Sequence, residues 1–274
     1  MNTENLTLMI QTCDGYSDLW KPHLDFLTKN WPDCPFRRIL VTDAPTDRVF
    51  PGVEVFSAGE GCHMPARLEA VLPHVSSEYV LLTLDDYFPI RPISTEAISR
   101  LVDIMDTQGL DYLRLFPMPP AFRPWQGRRG LFRIPLNTDY AVNLYPGLWR
   151  RSFLEATLPG PEDIWAYEVS LTHTARRLGA RCAMTYERTF PVLDVIRKGK
   201  LLHKAARQLA RRGISLPGRD TVPRREELRI FLFTWGKQLL PRPAARWVKK
   251  WLTNRGYSFF TDQYEALYDR HSAD

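Results

Sequence analysis

The chain has 274 residues, 44% of them hydrophobic and 25% charged, a size and balance that suit one large globular domain with or without an appended piece and exclude a disordered or collagen-like chain. Its net charge of +6 is unevenly placed: residues 197–255 hold 17 Lys and Arg against three acids, a local balance of +14, which leaves −8 on the remainder. A basic stretch of this kind attracts nucleic acid, anionic lipid or phosphorylated ligands, and charge alone does not choose among them.

In chain order, residues 6–11 form a short apolar run that predicts a buried strand, and Cys13-Asp14-Gly15-Tyr16-Ser17 a turn. A helix follows, capped by Ser17 or Asp18, with Leu19, Trp20, Leu24, Leu27 and Trp31 at helical spacing before Pro32 stops it. Residues 38–42 and 53–57 predict two more strands, and 65–75 a helix opened by Pro65 with Leu68, Val71 and Leu72 as its apolar stripe. Residues 78–84 are an almost continuous apolar strand, of the kind buried on both faces in a parallel sheet, and they run straight into Asp85-Asp86-Tyr87-Phe88. A helix over 95–107, ended by Gly109, and a strand over 111–116 complete an alternation that predicts a three-layer α/β domain with crossover connections.

Residues 117–147 are rich in Pro, Gly and Arg and read as a long loop or β-ribbon. Residues 149–157 and 164–178 read as helices, 181–186 as extended, and 200–212, 224–240 and 243–253 as basic amphipathic helices. The expected division is an α/β domain over 1–200 and a mainly helical basic extension over 201–274. Cys13, Cys34, Cys62 and Cys182 form no CxxC pair and read as small buried hydrophobes in a reducing compartment. With no apolar run near the roughly 20 residues of a membrane span and no signal-peptide pattern, the expectation is a cytoplasmic protein, at most peripheral to a membrane.

Two adjacent carboxylates at the C-terminal end of a buried strand stand where open α/β sheets bind ligands. Side by side they repel unless a cation sits with them, and Mg²⁺ or Mn²⁺ takes oxygen ligands and is shared with nucleotide phosphates. The structural alternative leaves Asp85 exposed and gives Asp86 to the following turn.

The turn Thr12-Cys13-Asp14, the helix behind it and the segment LLTLDDYF together resemble the nucleotide-binding half of GT-A glycosyltransferases. More narrowly, YSDLWKPHLDFLTKNWPDCPF, LLTLDDYFPI, PGLWRRSFLEATL and IWAYEVSL, in that order within about residues 6–203, resemble a group of bacterial glycosyltransferases of capsule and lipopolysaccharide synthesis. One departure is that the family's motif often reads acid-x-acid, whereas here the acids are adjacent and Tyr87 takes the third place. The resemblance implies that Thr12 and Asp14 contact the base and ribose of a sugar-nucleotide donor, that Arg67 reaches the nucleotide or its phosphates, and that Asp85 and Asp86 hold the diphosphate through a divalent metal. It further implies that Lys200 and His203 close on diphosphate and metal, that Glu168 or, second, Asp163 deprotonates the acceptor, and that Trp165 and Tyr167 form the acceptor pocket. Each has a plainer alternative: Asp14 suits a turn, Arg67 a surface, Asp163 a helix start, His203 a solvated basic helix, and the aromatics a core.

The implied reaction is a single-displacement, inverting transfer from a sugar nucleotide to a glycan or lipid-linked glycan, with residues 117–135 ordering over the donor and the basic C-terminal region meeting an anionic membrane surface. The alternatives are a non-catalytic nucleic-acid- or membrane-binding protein using that region, a non-catalytic partner in polysaccharide assembly, and a nucleotidyltransferase or phosphohydrolase sharing the acidic site. Nucleic acid is the weaker partner, since zinc-finger, RNP and helix-turn-helix patterns are missing.

Overall fold

The computed structural model describes residues 3–227 together with 251 and 254, so the helices expected over 224–240 and 243–253 fall outside the described residues except at those few positions. β1 (Leu6–Gln11) is buried at every position, which requires cover on both faces. Its side chains divide accordingly: Leu6, Leu8 and Ile10 enter one apolar cluster and Met9 the other. α1 (Ser17–Asn30) closes the first face with Trp20, Leu24 and Leu27. β2 (Arg37–Thr42) and β3 (Glu54–Ser57) extend the sheet in parallel. α2 (Met64–Val71) covers the second face with Met64, Leu68 and Val71, its start marked by His63, whose Nδ1 accepts from the Ala66 amide.

β4 (Tyr79–Leu84) pairs in parallel with β1, Gln11 opposite Leu84, so both strands end at one level. β5 (Tyr87–Pro89) follows the acidic turn. α3 (Thr95–Gln108) joins α1 on the first face; its Ser94 cap accepts from the Ala97 amide and Gly109 ends it with a left-handed backbone, φ 55°. β6 (Tyr112–Arg114), β7 (Pro124–Trp125), β8 (Arg128–Arg133), β9 (Gly147–Arg150) and β10 (Cys182–Thr185) complete a nine-stranded sheet of order β3-β2-β1-β4-β9-β6-β10-β8-β7. α4 (Arg151–Glu155) and α5 (Ile164–Arg177) cover the second face through Phe153, Leu154, Tyr167 and Leu171. The result is the expected three-layer α/β arrangement.

One expectation is corrected. Residues 149–157 are not one helix: β9 lies antiparallel between β4 and β6 before α4 begins at Arg151. Leu148 packs on one face and Trp149 on the other, so a doubly buried strand gives no alternation of polarity to read. Gly147 is there because a Cβ would stand 2.9 Å from the Tyr112 ring and 3.3 Å from the Leu113 carbonyl. β7 and β8 form a hairpin on the far edge of the sheet, with β9, β6 and β10 between them and β4.

Past β10 the chain runs back beside β5 and continues across residue 200. β11 (Val192–Asp194) pairs with β5, and β12 (Ile196–Arg197) with β13 (Lys200–Leu201). α6 (His203–Ala210) then buries Ala205 and Leu209 against Leu19 and Phe26 of α1 and Phe88 of β5. Among the described residues no helix is long and apolar enough to cross a membrane.

Candidate active site

The sheet order places β2 on one side of β1 and β4 on the other, which makes the gap beyond β1 and β4 a switch point where the chain leaves a crevice. The ladders run on into that crevice: the Thr12 amide donates to the Val41 carbonyl at 2.9 Å and the Asp85 amide to the Gln11 carbonyl at 3.1 Å. Thr12 and Asp85 are therefore neighbours by backbone pairing. The Thr12 hydroxyl donates to Asp85 Oδ2 and accepts from Trp20 Nε1 at 2.6 Å. His23, one turn further along α1, bonds the Asp85 carbonyl through Nδ1 at 3.0 Å and packs edge-on against Phe88, 5.7 Å between rings. Burial holds its pKa down to about 4, so at neutral pH it is an uncharged donor beneath the acidic turn.

Asp85 is 6% exposed and burial pushes its carboxyl up to about 7, against the pull of the Thr12 hydrogen bond and of Arg219 and Arg67. Asp86 is raised well above the ordinary carboxylate range, first by burial and then by the charges of Asp85 and Asp194, with Arg197 opposing. Its Oδ1 is buried with no hydrogen-bond partner. Such an atom costs free energy unless a ligand or ion completes it.

Two walls flank this turn. On the β2 side, Asp43 accepts from the Asp14 amide at 2.7 Å. Burial raises the Asp43 carboxyl, but backbone amides and Arg67 together bring it below its ordinary value. Arg67 itself is 8% exposed, bonds the Cys62 carbonyl and leaves Nε buried without a partner, so it is not the surface side chain of the plainer reading. Asp14 is exposed at the start of its 3₁₀ turn. On the other side, β5 and β11 set Asp194 opposite Tyr87, and the Val195 amide donates to the Asp86 carbonyl at 2.9 Å. Arg197 bonds Asp194 at 2.7 Å and Tyr145; burial lowers its affinity for the proton, but Asp194 and Tyr145 outweigh that and hold it charged.

Tyr145 and Phe116 stack at 4.3 Å and 15°, with Tyr87 packed against both, beside the Asp86–Arg197 cluster. Glu168 of α5 accepts from the Leu144 amide at 3.2 Å; burial raises its carboxyl, opposed by that bond and by Arg197. Arg197 thus favours the charged forms of three carboxyls, Asp86, Asp194 and Glu168.

Other expected residues are placed elsewhere or otherwise employed. Tyr167 is 0% exposed: its hydroxyl bonds Thr157 at 2.9 Å and its ring fills the space beside Gly160, so it is core and offers no face to an acceptor. Asp163 caps α5, accepting from the Trp165 and Ala166 amides at 3.0 and 2.9 Å. Trp165 is half-buried in the first turn of that helix. Lys200 is exposed and, with Arg197, Lys198, Val222 and Glu226, lines a cavity of about 210 Å³. His203 opens α6 with its Nε2 buried and unpartnered.

The expected trio of Asp85, Asp86 and His203 is not assembled as a metal-ligand cluster; among the described residues no three His, Cys, Asp or Glu stand close enough to hold an ion alone. The reasons are local: Asp85 is turned to Thr12, and His203 starts a helix beyond the strand that separates it from Asp86. Sequence reasoning passed over Asp43, His23, Asp194 and Arg219. His23 had a signal, falling on the apolar stripe of α1 between Trp20 and Leu24; the others become site residues only through pairing distant in sequence.

No family model and no curated protein matches the chain. Among solved structures, S. aureus TarS 1–349 aligns at 18% identity and TM-score 0.47, covering 68% of this chain and 59% of that one. The same protein in complex with UDP-GlcNAc aligns at 18% and 0.47, covering 72% and 60%. The Pyrobaculum calidifontis mannosyltransferase PcManGT in complex with GDP-Man and Mn²⁺ aligns at 16% and 0.48, covering 71% and 58%. This chain therefore spans less than two thirds of each of these chains, and at these values none carries its activity over.

Proposed function

We propose that the chain is a GT-A-type glycosyltransferase that takes a sugar from a nucleotide donor and delivers it to a glycan or lipid-linked glycan in bacterial surface polysaccharide synthesis. The observation that carries this reading is the Asp85–Asp86 turn: two buried, proton-favouring carboxyls at a switch point, one tied to Thr12 and the other with an oxygen left unpartnered. The sequence resemblance and the α/β layering agree with it.

In this reading the base and ribose lie against Thr12, Asp14, Asp43 and Arg67. Asp43 carries full charge and accepts from a donor hydroxyl or a base N–H, and Arg67 supplies the opposing charge. Asp86 Oδ1 is the oxygen donor that would suit a divalent ion such as Mn²⁺ or Mg²⁺ held jointly with the donor's phosphates, while His203, on the far side of the strand at Val195, does not join it in this arrangement. When bound, the ion neutralises the departing diphosphate. Asp85 keeps the turn in place through Thr12, and Arg197 and Lys200 meet the charge that develops on the leaving group.

The acceptor sugar stacks on the half-buried Phe116–Tyr145 pair, and Trp165, half-buried in the first turn of α5, is the further aromatic candidate for it. Glu168, poised by burial beside Arg197, takes the acceptor proton as the sugar migrates, and inversion follows from a single displacement. Asp163 is the second candidate because its carboxylate alone of the two is exposed. The basic region beyond residue 223 is the part assigned to an anionic membrane surface.

The test is a panel of UDP-, GDP- and CMP-sugars with Mn²⁺ or Mg²⁺, comparing wild type with Asp86→Asn and Glu168→Gln. Metal-dependent binding of one donor, lost in the first variant and retained without turnover in the second, supports the reading. Binding of nucleic acid or anionic lipid with no sugar nucleotide bound refutes it.

A further inference from the structure

Arg219 lies past α6, in a segment that the acidic turn does not need for its own geometry, yet it reaches both walls of the crevice. Its Nε and Nη2 hold the two oxygens of Asp18 at 2.6 Å each, and its plane lies 4.5 Å over the Tyr16 ring. The same guanidinium donates to the Gly15 carbonyl and, on the opposite wall, to the Gly199 carbonyl, both at 3.3 Å. Gly199 is the turn of the β12–β13 hairpin that carries Arg197 to Asp194. The backbone fixes Arg219 in this place: the Leu201 amide donates to the Asp220 carbonyl at 2.8 Å and the Val222 amide to the Leu201 carbonyl at 2.9 Å, so one parallel bridge ties the segment to the hairpin.

The pair is bidentate, with the Arg219 side chain 11% and the Asp18 side chain 37% exposed, so its geometry is specific while its carboxylate meets solvent. The charge is also felt inside the crevice, where Arg219 is the foremost cation favouring the ionised form of Asp85. Asp18 sits in the first turn of α1, where a carboxylate is already favoured by the helix dipole, so the helix start alone does not call for Arg219.

We propose that Arg219 is a positioning residue for the donor: by joining Asp18 and Gly15 to Gly199 it holds the Asp14–Tyr16 turn and the Arg197 hairpin at the spacing that a sugar nucleotide fills. The proposal rests on the reading of the crevice as a donor site and adds that the chain past α6 belongs to that site. Arg219 touches no reacting atom in this picture; it fixes two walls whose own residues do.

The measurement uses the full chain, the UDP- or GDP-sugar that wild type binds with Mn²⁺, and the variants Arg219→Lys and Asp18→Asn. Lysine keeps the charge but cannot make both Asp18 contacts and the two carbonyl contacts. The expected result is a donor Kd weakened about tenfold, with kcat at saturating donor changed by less than about threefold. Amide exchange should quicken in residues 13–18 and 196–201 while β6, β9 and β10 stay protected. The double variant should cost little more than either single one, since both remove the same contact. Unchanged donor affinity in Arg219→Lys, or exchange quickened equally throughout the sheet, overturns the proposal. A wild-type chain that binds no sugar nucleotide overturns the donor reading and this proposal with it, whereas wild-type binding with an indifferent variant overturns the proposal alone.

Discussion

Thr12 and Asp85, 73 residues apart, are joined by a hydrogen bond across the ends of two parallel strands, and Trp20 Nε1 completes the chain from the other side at 2.6 Å. One hydroxyl therefore satisfies a buried indole donor and a buried carboxyl at once. Thr12→Val keeps the shape and removes both bonds, leaving two buried polar groups unpaired. The expected loss is about 2–4 kcal/mol in urea unfolding, with Thr12→Ser close to wild type. Equal stability of the valine and serine variants would mean that the relay contributes nothing.

The buried acids make stability depend on pH with a definite sign. Burial raises the Asp85 carboxyl to about 7 and holds Asp86 well above its ordinary value too, so the folded state keeps protons that the unfolded state has released. Their contribution is present below about pH 4 and is lost as pH rises through 7. His23 works the other way: its folded value of about 4 lies below the ordinary 6.5, so its contribution is lost as pH falls from 6.5 toward 4. The two slopes oppose each other between 4 and 6.5, and above 6.5 only the acids remain. Without added metal, Tm should fall between pH 6.5 and 8.5, and Asp86→Asn should flatten that fall and raise stability at pH 8. A wild-type Tm that is level or rising over that range contradicts this.

The assignment of the base is separable because α5 carries both candidates. Asp163→Asn preserves the cap, since asparagine accepts the same amide bonds, and removes only the charge. Glu168→Gln likewise still accepts from the Leu144 amide. The expected outcome is a kcat lowered about 100-fold or more by Glu168→Gln with donor affinity intact, and less than about tenfold by Asp163→Asn. The reverse order moves the base to Asp163; if neither variant loses more than tenfold, α5 does not supply it.

The acidic half of the crevice was legible in the sequence because local signals coincide there with tertiary ones. The run ending at Leu84 had to be buried on both faces, and whatever followed a central parallel strand had to lie at its C-terminal mouth. The aromatic half was not legible in the same way. Tyr167 and Trp165 were singled out by their closeness to Glu168 in sequence, but on a helix the adjacent positions face different ways, and Tyr167 points into the core. The aromatic pair beside Asp86 comes instead from Phe116 and Tyr145, 29 residues apart in a Pro-rich stretch with no period to read. β9 escaped for the same reason that β4 was found, since burial on both faces erases alternation, and only length and turn signals distinguish such a strand from a helix.

The composition shift near residue 200 marks a change of charge and does not mark a change of packing, and truncation tests this directly. Leu201, Leu209 and Leu216 lie in one cluster with Leu19, Phe26 and Phe88. Each buried leucine contributes roughly 1.5–3 kcal/mol, so removing all three takes away an amount comparable to the whole stability of an ordinary domain. A chain ending at residue 200 should be insoluble or lack a cooperative unfolding transition, whereas one ending at residue 223, which keeps α6, Leu216 and Arg219, should unfold cooperatively and bind the same nucleotide as the full chain. If the shorter chain melts cooperatively within a few degrees of the longer one, α6 is an appendage after all, and the apolar faces of Phe26 and Phe88 would then tolerate water.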